Sequence, residues 1–150
     1  YWPIRPLATC TVWLAIDDAN VENGCLRFIK GSHKEKKLKS HNINDNKNLT
    51  LNQELDESEY NEKDAVNLIL KRGQISLHDV YLVHGSEANN SSMARRAITM
   101  RFMPTSSVFD HQMVKDKNLF SKLNASKYQD RKIYHMRGRD ISGKNNLTYI

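Results

Sequence analysis

The stretch LVHGSEANNSSMARRAITMRF, residues 82–102, gathers side chains suited to chemistry. His84 closes an apolar run, and a strand end facing a cavity is a good place for an imidazole to hold a first-row metal ion. It is also a place where a histidine simply caps a turn. Ser86 lies two residues on and points the same way as His84 in extended backbone. A polar turn, NNSS, then leads to two arginines that strand parity separates. Arg96 falls with Ile98, Met100 and Phe102, and Arg95 with Ala97, Thr99 and Arg101. A guanidinium over small residues, on a strand returning beside His84, makes a carboxylate receptor. Two ordinary surface charges at a strand start is the other reading.

The elements that must position these groups read as short strands. TCTVWLAI, residues 9–16, alternates with period two. Thr9, Thr11, Trp13 and Ala15 share one face, and Cys10, Val12, Leu14 and Ile16 the other. The second face is plainly apolar, whereas hydroxyls and an indole suit a polar-lined cavity. CLRFI (25–29), AVNLIL (65–70), QISLHD (74–79), YLVHGS (81–86) and RRAITMRF (95–102) follow as strands between Gly-marked turns. Residues 33–64 are a polar insert in which fourteen of 32 residues are charged, so a long surface loop is expected, helical in part over 53–64 and able to fold over a site as a lid. Beyond Pro104 the pattern weakens into a polar tail with helical character, in which RGRD, 137–140, reads as loop. Such a sequence predicts a mainly all-β sandwich or barrel.

With 150 residues the chain has the size of one domain. No window has the length of apolar sequence that a membrane span needs, and nothing reads as a signal peptide. Cys10 and Cys25 are too few for a disulfide scaffold and read as buried, reduced thiols of a cytoplasmic protein. The net charge of +6 resides in residues 111–150, where nine Lys and Arg face three Asp. That tail lacks a nucleic-acid module and has few aromatics (Phe120, Tyr128, Tyr134, Tyr149), so a solvated basic surface is expected rather than a nucleic-acid partner.

Taken together, YWPIRP, TVWLAIDDANVENGCLRFIKGSH, GQISLHDVYLVHGSEAN and RRAITMRF resemble the phytanoyl-CoA dioxygenase family of Fe(II)- and 2-oxoglutarate-dependent oxygenases. The most specific part is His-Gly-Ser with an arginine eleven residues after the histidine. The resemblance implies a double-stranded β-helix, or cupin-like jelly roll. It also implies Fe(II) held by two histidines and a carboxylate, with 2-oxoglutarate and O2 as cosubstrates and a small molecule as substrate. On that basis His84 matches the distal iron ligand, Arg95 the partner of the far carboxylate of 2-oxoglutarate, and Ser86 the hydroxyl beside it. Trp13 matches an indole lining the cosubstrate pocket, and Thr11 joins it there. Tyr1, Trp2 and Arg5 fall near the expected mouth and are candidates for substrate contact.

One departure matters. The family carries its other two ligands as a His-x-Asp triplet just ahead of the stretch matching YWPIRP, and this chain begins at Tyr1. The chain therefore reads as the C-terminal part of a single dioxygenase domain, its fold incomplete at the N-terminus, inactive by itself. No substitute triplet is visible: His33-Lys34-Glu35 belongs to a turn, His78-Asp79 has the wrong spacing, and His41, His111 and His135 lie in polar segments. A halogenase of the same fold and a non-catalytic β-sandwich binding module are the alternatives, and the substrate is not readable.

Overall fold

The computed structural model describes residues 2–44, 46, 53–115 and 130–150. Tyr1, Phe120 and Tyr128 lie outside them. The chain divides into two compact units, Thr9–Asn42 with Leu55–Phe102, and Tyr1–Ala8 with Ile43–Glu54 and Met103–Ile150.

The first unit is built on two antiparallel three-stranded sheets. In one, β2 (Cys10–Ala15) runs between β7 (Ile75–Asp79) and β9 (Ala97–Phe102). In the other, β3 (Leu26–Ile29) runs between β6 (Ala65–Asn67) and β8 (His84–Ser86). Trp13 and Ala15 of the first sheet cluster with Ala19, Cys25 and Leu70, and Leu26, Leu68 and Ala97 pack against them. Apolar side chains from both sheets thus share one core, which is the packing of a β-sandwich.

Strand parity decides which side of β2 is covered. Thr9, Thr11, Trp13 and Ala15 are all buried. The hydroxyl-and-indole face therefore lies inside, as its composition suggests. The apolar face points to solvent, where Ile75, Leu77, Ile98, Met100 and Phe102 of the flanking strands are exposed beside Val12 and Leu14. Cys10 belongs to this outer face and is exposed, so only Cys25 is the buried thiol expected of both. Neither cysteine forms a disulfide.

Three segments differ from the reading of the sequence. YLV, 81–83, is a turn rather than strand, because the Asp79 carboxylate accepts from the Tyr81 N–H and the Asp79 carbonyl from the Leu82 N–H. The strand then starts at His84 itself. Within the polar insert, β4 (His41–Ile43) and β5 (Gln53–Leu55) are short strands. Residues 57–59 and 62–64 are 3-10 turns, each opened by a side chain that accepts a backbone N–H, Asp56 from Ser58 and Asn61 from Lys63. Such local bonds end a helix after one turn, so the helix expected over 53–64 does not form.

In the second unit, β1 (Ile4–Arg5) pairs antiparallel with β10 (Val108–Phe109). Ile4, Phe109 and Val114 form its core, with Trp2, Leu7, Met103, Met113 and Ile133 packed around them. Helix α1 (His111–Lys115) carries Val114, and β11 (Ile133–His135) pairs parallel with β12 (Leu147–Tyr149). RGRD is loop as expected, turning at Gly138 with φ 86°. Tyr134 and Tyr149 of the basic tail are exposed.

Candidate functional site

His84 opens β8 opposite Phe28 of β3, and Ser86 lies opposite Leu26. Both side chains therefore project from one face of this sheet and both are exposed. The Nδ1 of His84 lies 2.7 Å from the Leu82 carbonyl oxygen. A carbonyl only accepts, so Nδ1 is the donor, and Nε2 is the nitrogen left to face a ligand. The turn at 81–83 that displaces the expected strand is what brings this carbonyl within reach.

A second imidazole faces the first. His78, on β7, is 8% exposed, and its ring centroid stands 5.1 Å from that of His84 at an interplanar angle of 52°. Phe28 touches both rings, at 5.3 and 6.0 Å. The Nδ1 of His78 is buried with no hydrogen-bond partner. Burial, then the neighbouring His84 and Arg101, pushes its pKa from 6.5 down to about 4, so the ring is neutral at pH 7. In register with His78 stands Thr11, which is followed across β2 by Arg101. The next rung is Ser76, Trp13 and Thr99. The inner face of this sheet is thus lined by hydrogen-bonding groups, and the Ser76 hydroxyl is also buried and unpartnered.

The two arginines have separate fates. Arg96 is clamped to Asp17, whose carboxylate accepts from Nε at 2.9 Å, from Nη2 at 2.8 Å and from the Arg96 backbone N–H at 2.8 Å. These bonds hold the Asp17 carboxyl well below the usual range. Arg95 has no such partner: its Nε is buried and makes no hydrogen bond. Its charge acts on the Cys25 thiol, whose pKa is raised chiefly by burial, and Cys25 immediately precedes Leu26, the partner of Ser86. A buried guanidinium nitrogen without an acceptor is costly, and a carboxylate from outside the chain would satisfy it.

Asn23 supports this corner and was not singled out in the sequence. It is fully buried, donates from Nδ2 to the Asp18 and Ala94 carbonyls, and accepts from the Asn20 N–H. It thereby ties the turn before β3 to the residue preceding Arg95. The paired pattern Asn20-x-x-Asn23 is the only trace of it in the sequence. Trp2 and Arg5, the candidates for substrate contact, belong to the other unit. Arg5 donates to the Trp2 and Ile4 carbonyls, and the Arg131 guanidinium lies 5.2 Å from the Trp2 ring.

Residues 1–97 match the phytanoyl-CoA dioxygenase (PhyH) family. The chain belongs to that family. A Dictyostelium discoideum phytanoyl-CoA dioxygenase domain-containing protein 1 homolog is 37% identical over 100 residues, covering 65% of this chain and 36% of that protein. The human peroxisomal phytanoyl-CoA dioxygenase is 32% identical over 109 residues, covering 68% of this chain and 30% of that protein. The chain thus spans about a third of the length of these relatives. Among solved structures, EvdO2 from Micromonospora carbonacea var. aurantiaca, complexed with 2-oxoglutarate, superposes with TM-score 0.56 at 26% identity, covering 67% of this chain and 38% of that one. The non-heme monooxygenase ThoJ gives the same TM-score at 22% identity, covering 71% and 38%, and shows the fold. The facing sheets are those of a jelly roll, as the resemblance implied.

The two groups implied by the family fit this chain unequally. For 2-oxoglutarate, the orphaned Arg95 Nε and the exposed Ser86 hydroxyl suit a carboxylate. For a facial iron site, the donors fall short: among the described residues no three His, Cys, Asp or Glu side chains come together to hold a metal ion. His33 and Glu35, flanking Lys34, lie in a 3-10 turn, and Asp79 is tied into the turn after β7. Among the described residues no helix is long and apolar enough to cross a membrane.

Proposed function

We propose that this chain carries the 2-oxoglutarate-binding part of a dioxygenase that hydroxylates a small molecule. The observation that carries the reading is the buried Arg95 Nε without a partner, set beside an Arg96 that Asp17 already neutralises. Family membership and the likeness to EvdO2 support it. Arg95 pairs with the far carboxylate of the cosubstrate through charge-assisted bonds, Ser86 donates its hydroxyl to the same group, and Trp13 closes the wall behind. Thr11 completes the polar inner face. The sandwich core keeps water from that wall. His84 presents Nε2 as one metal donor. The other donors of an iron site are not among the described residues, so the chain alone does not turn over 2-oxoglutarate. Trp2 and Arg5 are assigned to the substrate side, and the cytosol to the protein, on its unpaired cysteines.

The test is a 2-oxoglutarate titration of this chain followed by its amide NMR spectrum. Arg95→Ala should abolish the shifts, and Arg96→Ala should leave them in place. Equal losses in the two variants, or none in Arg95→Ala, would show that the unpartnered guanidinium is not the carboxylate receptor.

A further inference from the structure

We infer that the outer face of the β11–β12 pair is a docking surface for a membrane carrying anionic lipid. The surface lies outside residues 1–97, which match the family, and the inference stands apart from the cosubstrate reading. β11 and β12 run parallel, with Ile133 beside Leu147 and Tyr134 beside Thr148. Ile133 packs onto the core of Ile4, Phe109 and Val114. Parity therefore turns Tyr134 to the opposite side, together with Lys132 and Met136 two residues to either side of it. Exposure follows that alternation from Lys132 to Met136. Tyr134 and Met136 are 52% and 63% exposed, and Ile150, two residues beyond Thr148, is exposed as well.

The charges around this face are largely of one sign. Arg131, Lys132, Arg137, Arg139 and Lys144 are all exposed, against two acids in residues 130–150. One of those acids, Asp140, is turned inward: its carboxylate accepts from the Ser142 N–H and hydroxyl and from the Asn145 N–H and Nδ2. Asn145 also donates to the Ser107 carbonyl and accepts from the Phe109 N–H, and the Ile141 N–H donates to the Thr105 carbonyl. The loop that carries Arg137, Arg139 and Lys144 is thus pinned to the body of its unit, and it holds Ile141 outward at 75% exposure. Tyrosine, methionine and isoleucine among cations suit a lipid headgroup layer. Apolar side chains enter the acyl boundary, tyrosine rests at headgroup level, and the cations meet lipid phosphates. The contact is peripheral and needs no spanning segment. Nucleic acid suits the face less, because Met136, Ile141 and Ile150 give bases nothing to stack on.

The test is flotation of the 150-residue chain with vesicles of phosphatidylcholine alone, or of phosphatidylcholine and phosphatidylserine in equal parts. Binding should appear with the mixed vesicles only and fall as salt rises. Near an anionic surface each cation contributes about fivefold, so Arg137→Gln with Arg139→Gln should weaken binding about 25-fold. Tyr134→Ser with Met136→Ser should weaken it by about tenfold or more at unchanged charge. All four positions are exposed, so thermal unfolding of both variants should match the parent. Leu77→Ser, on the exposed apolar face of the other unit, should leave binding in place. Absence of binding to the mixed vesicles overturns the inference, as does equal binding to neutral ones. A loss in Leu77→Ser equal to that of the Tyr134 and Met136 variant would show general adhesion through apolar side chains, and overturns it too. Tighter binding to single-stranded DNA than to the vesicles at the same ionic strength would assign the face to nucleic acid instead.

Discussion

Gly24 ends the turn that leads into β3, at φ 72°, a left-handed conformation that costs an ordinary residue roughly 1–2 kcal/mol. A methyl added there would stand 2.5 Å from the Glu87 carbonyl oxygen and 3.2 Å from that of Ala88, both backbone atoms. Ordinary contact begins near 3.4 Å, so one chain must retreat by about 0.9 Å. Overpacking of this kind adds about 1–3 kcal/mol. Gly24→Ala is therefore expected to cost about 2–5 kcal/mol. Gly73 supplies the control: at φ 84° it has the same conformational need, but an added methyl meets nothing within 4 Å. Gly73→Ala should cost only the conformational part, roughly 1–2 kcal/mol. In a chain of this size each kcal/mol moves Tm by about 2–4 °C. Thermal unfolding followed by circular dichroism should place the Gly24 variant well below the Gly73 variant. Glu87 directly follows Ser86, so the imidazole signal of His84 should move only in the Gly24 variant. Equal losses of Tm in the two variants would refute the claim that the approach of Glu87 sets the requirement for glycine.

Other outcomes follow from the same geometry. Asn23→Ala strands the Asp18 and Ala94 carbonyls and the Asn20 N–H in a buried corner, and should cost about 2–3 kcal/mol in urea denaturation. Leu77→Lys changes an exposed position of an apolar face, and its stability should stay within about 0.5 kcal/mol of the parent. His78 has its pKa lowered in the fold, so the unfolded chain takes up its proton first. Its stabilising contribution is present above pH 6.5 and lost as the pH falls through 4, by about 3 kcal/mol. His78→Gln should flatten that part of a stability-against-pH curve. Succinate formation from 2-oxoglutarate and Fe(II) by this chain should stay at background. Turnover there would mean that a carboxylate ligand exists within it.

The strands were legible wherever period two met a Gly-marked turn. Cys10–Ala15, Ile75–Asp79 and Ala97–Phe102 lie within the expected segments. Parity also separated Arg95 from Arg96, and the structure gives that separation its meaning through the Asp17 clamp. What was illegible depended on partners distant in sequence. Nothing in QISLHD announces that His78 meets a ring six residues further on, because the turn at Asp79 that folds the two together looks like strand in YLV. Asn23 was equally silent, since its value lies in Ala94, 71 residues away. On β2 the hydroxyls and the indole marked the inner face, but that the plainly apolar face would be the wetter one was not legible.

That inverted sheet has a thermodynamic consequence. Heat capacity and denaturant slope measure the surface that becomes wet when a chain unfolds. Ile75, Leu77, Ile98, Met100 and Phe102 are about half wet already. Their unfolding adds about half the new hydration that buried side chains would, although they look like core residues in the sequence. The chain should accordingly melt with a smaller heat-capacity step, and a shallower urea slope, than its length and strand content would suggest. A calorimetric step of about 12–15 cal/mol/K per residue, the ordinary value, would mean that this face is covered in solution.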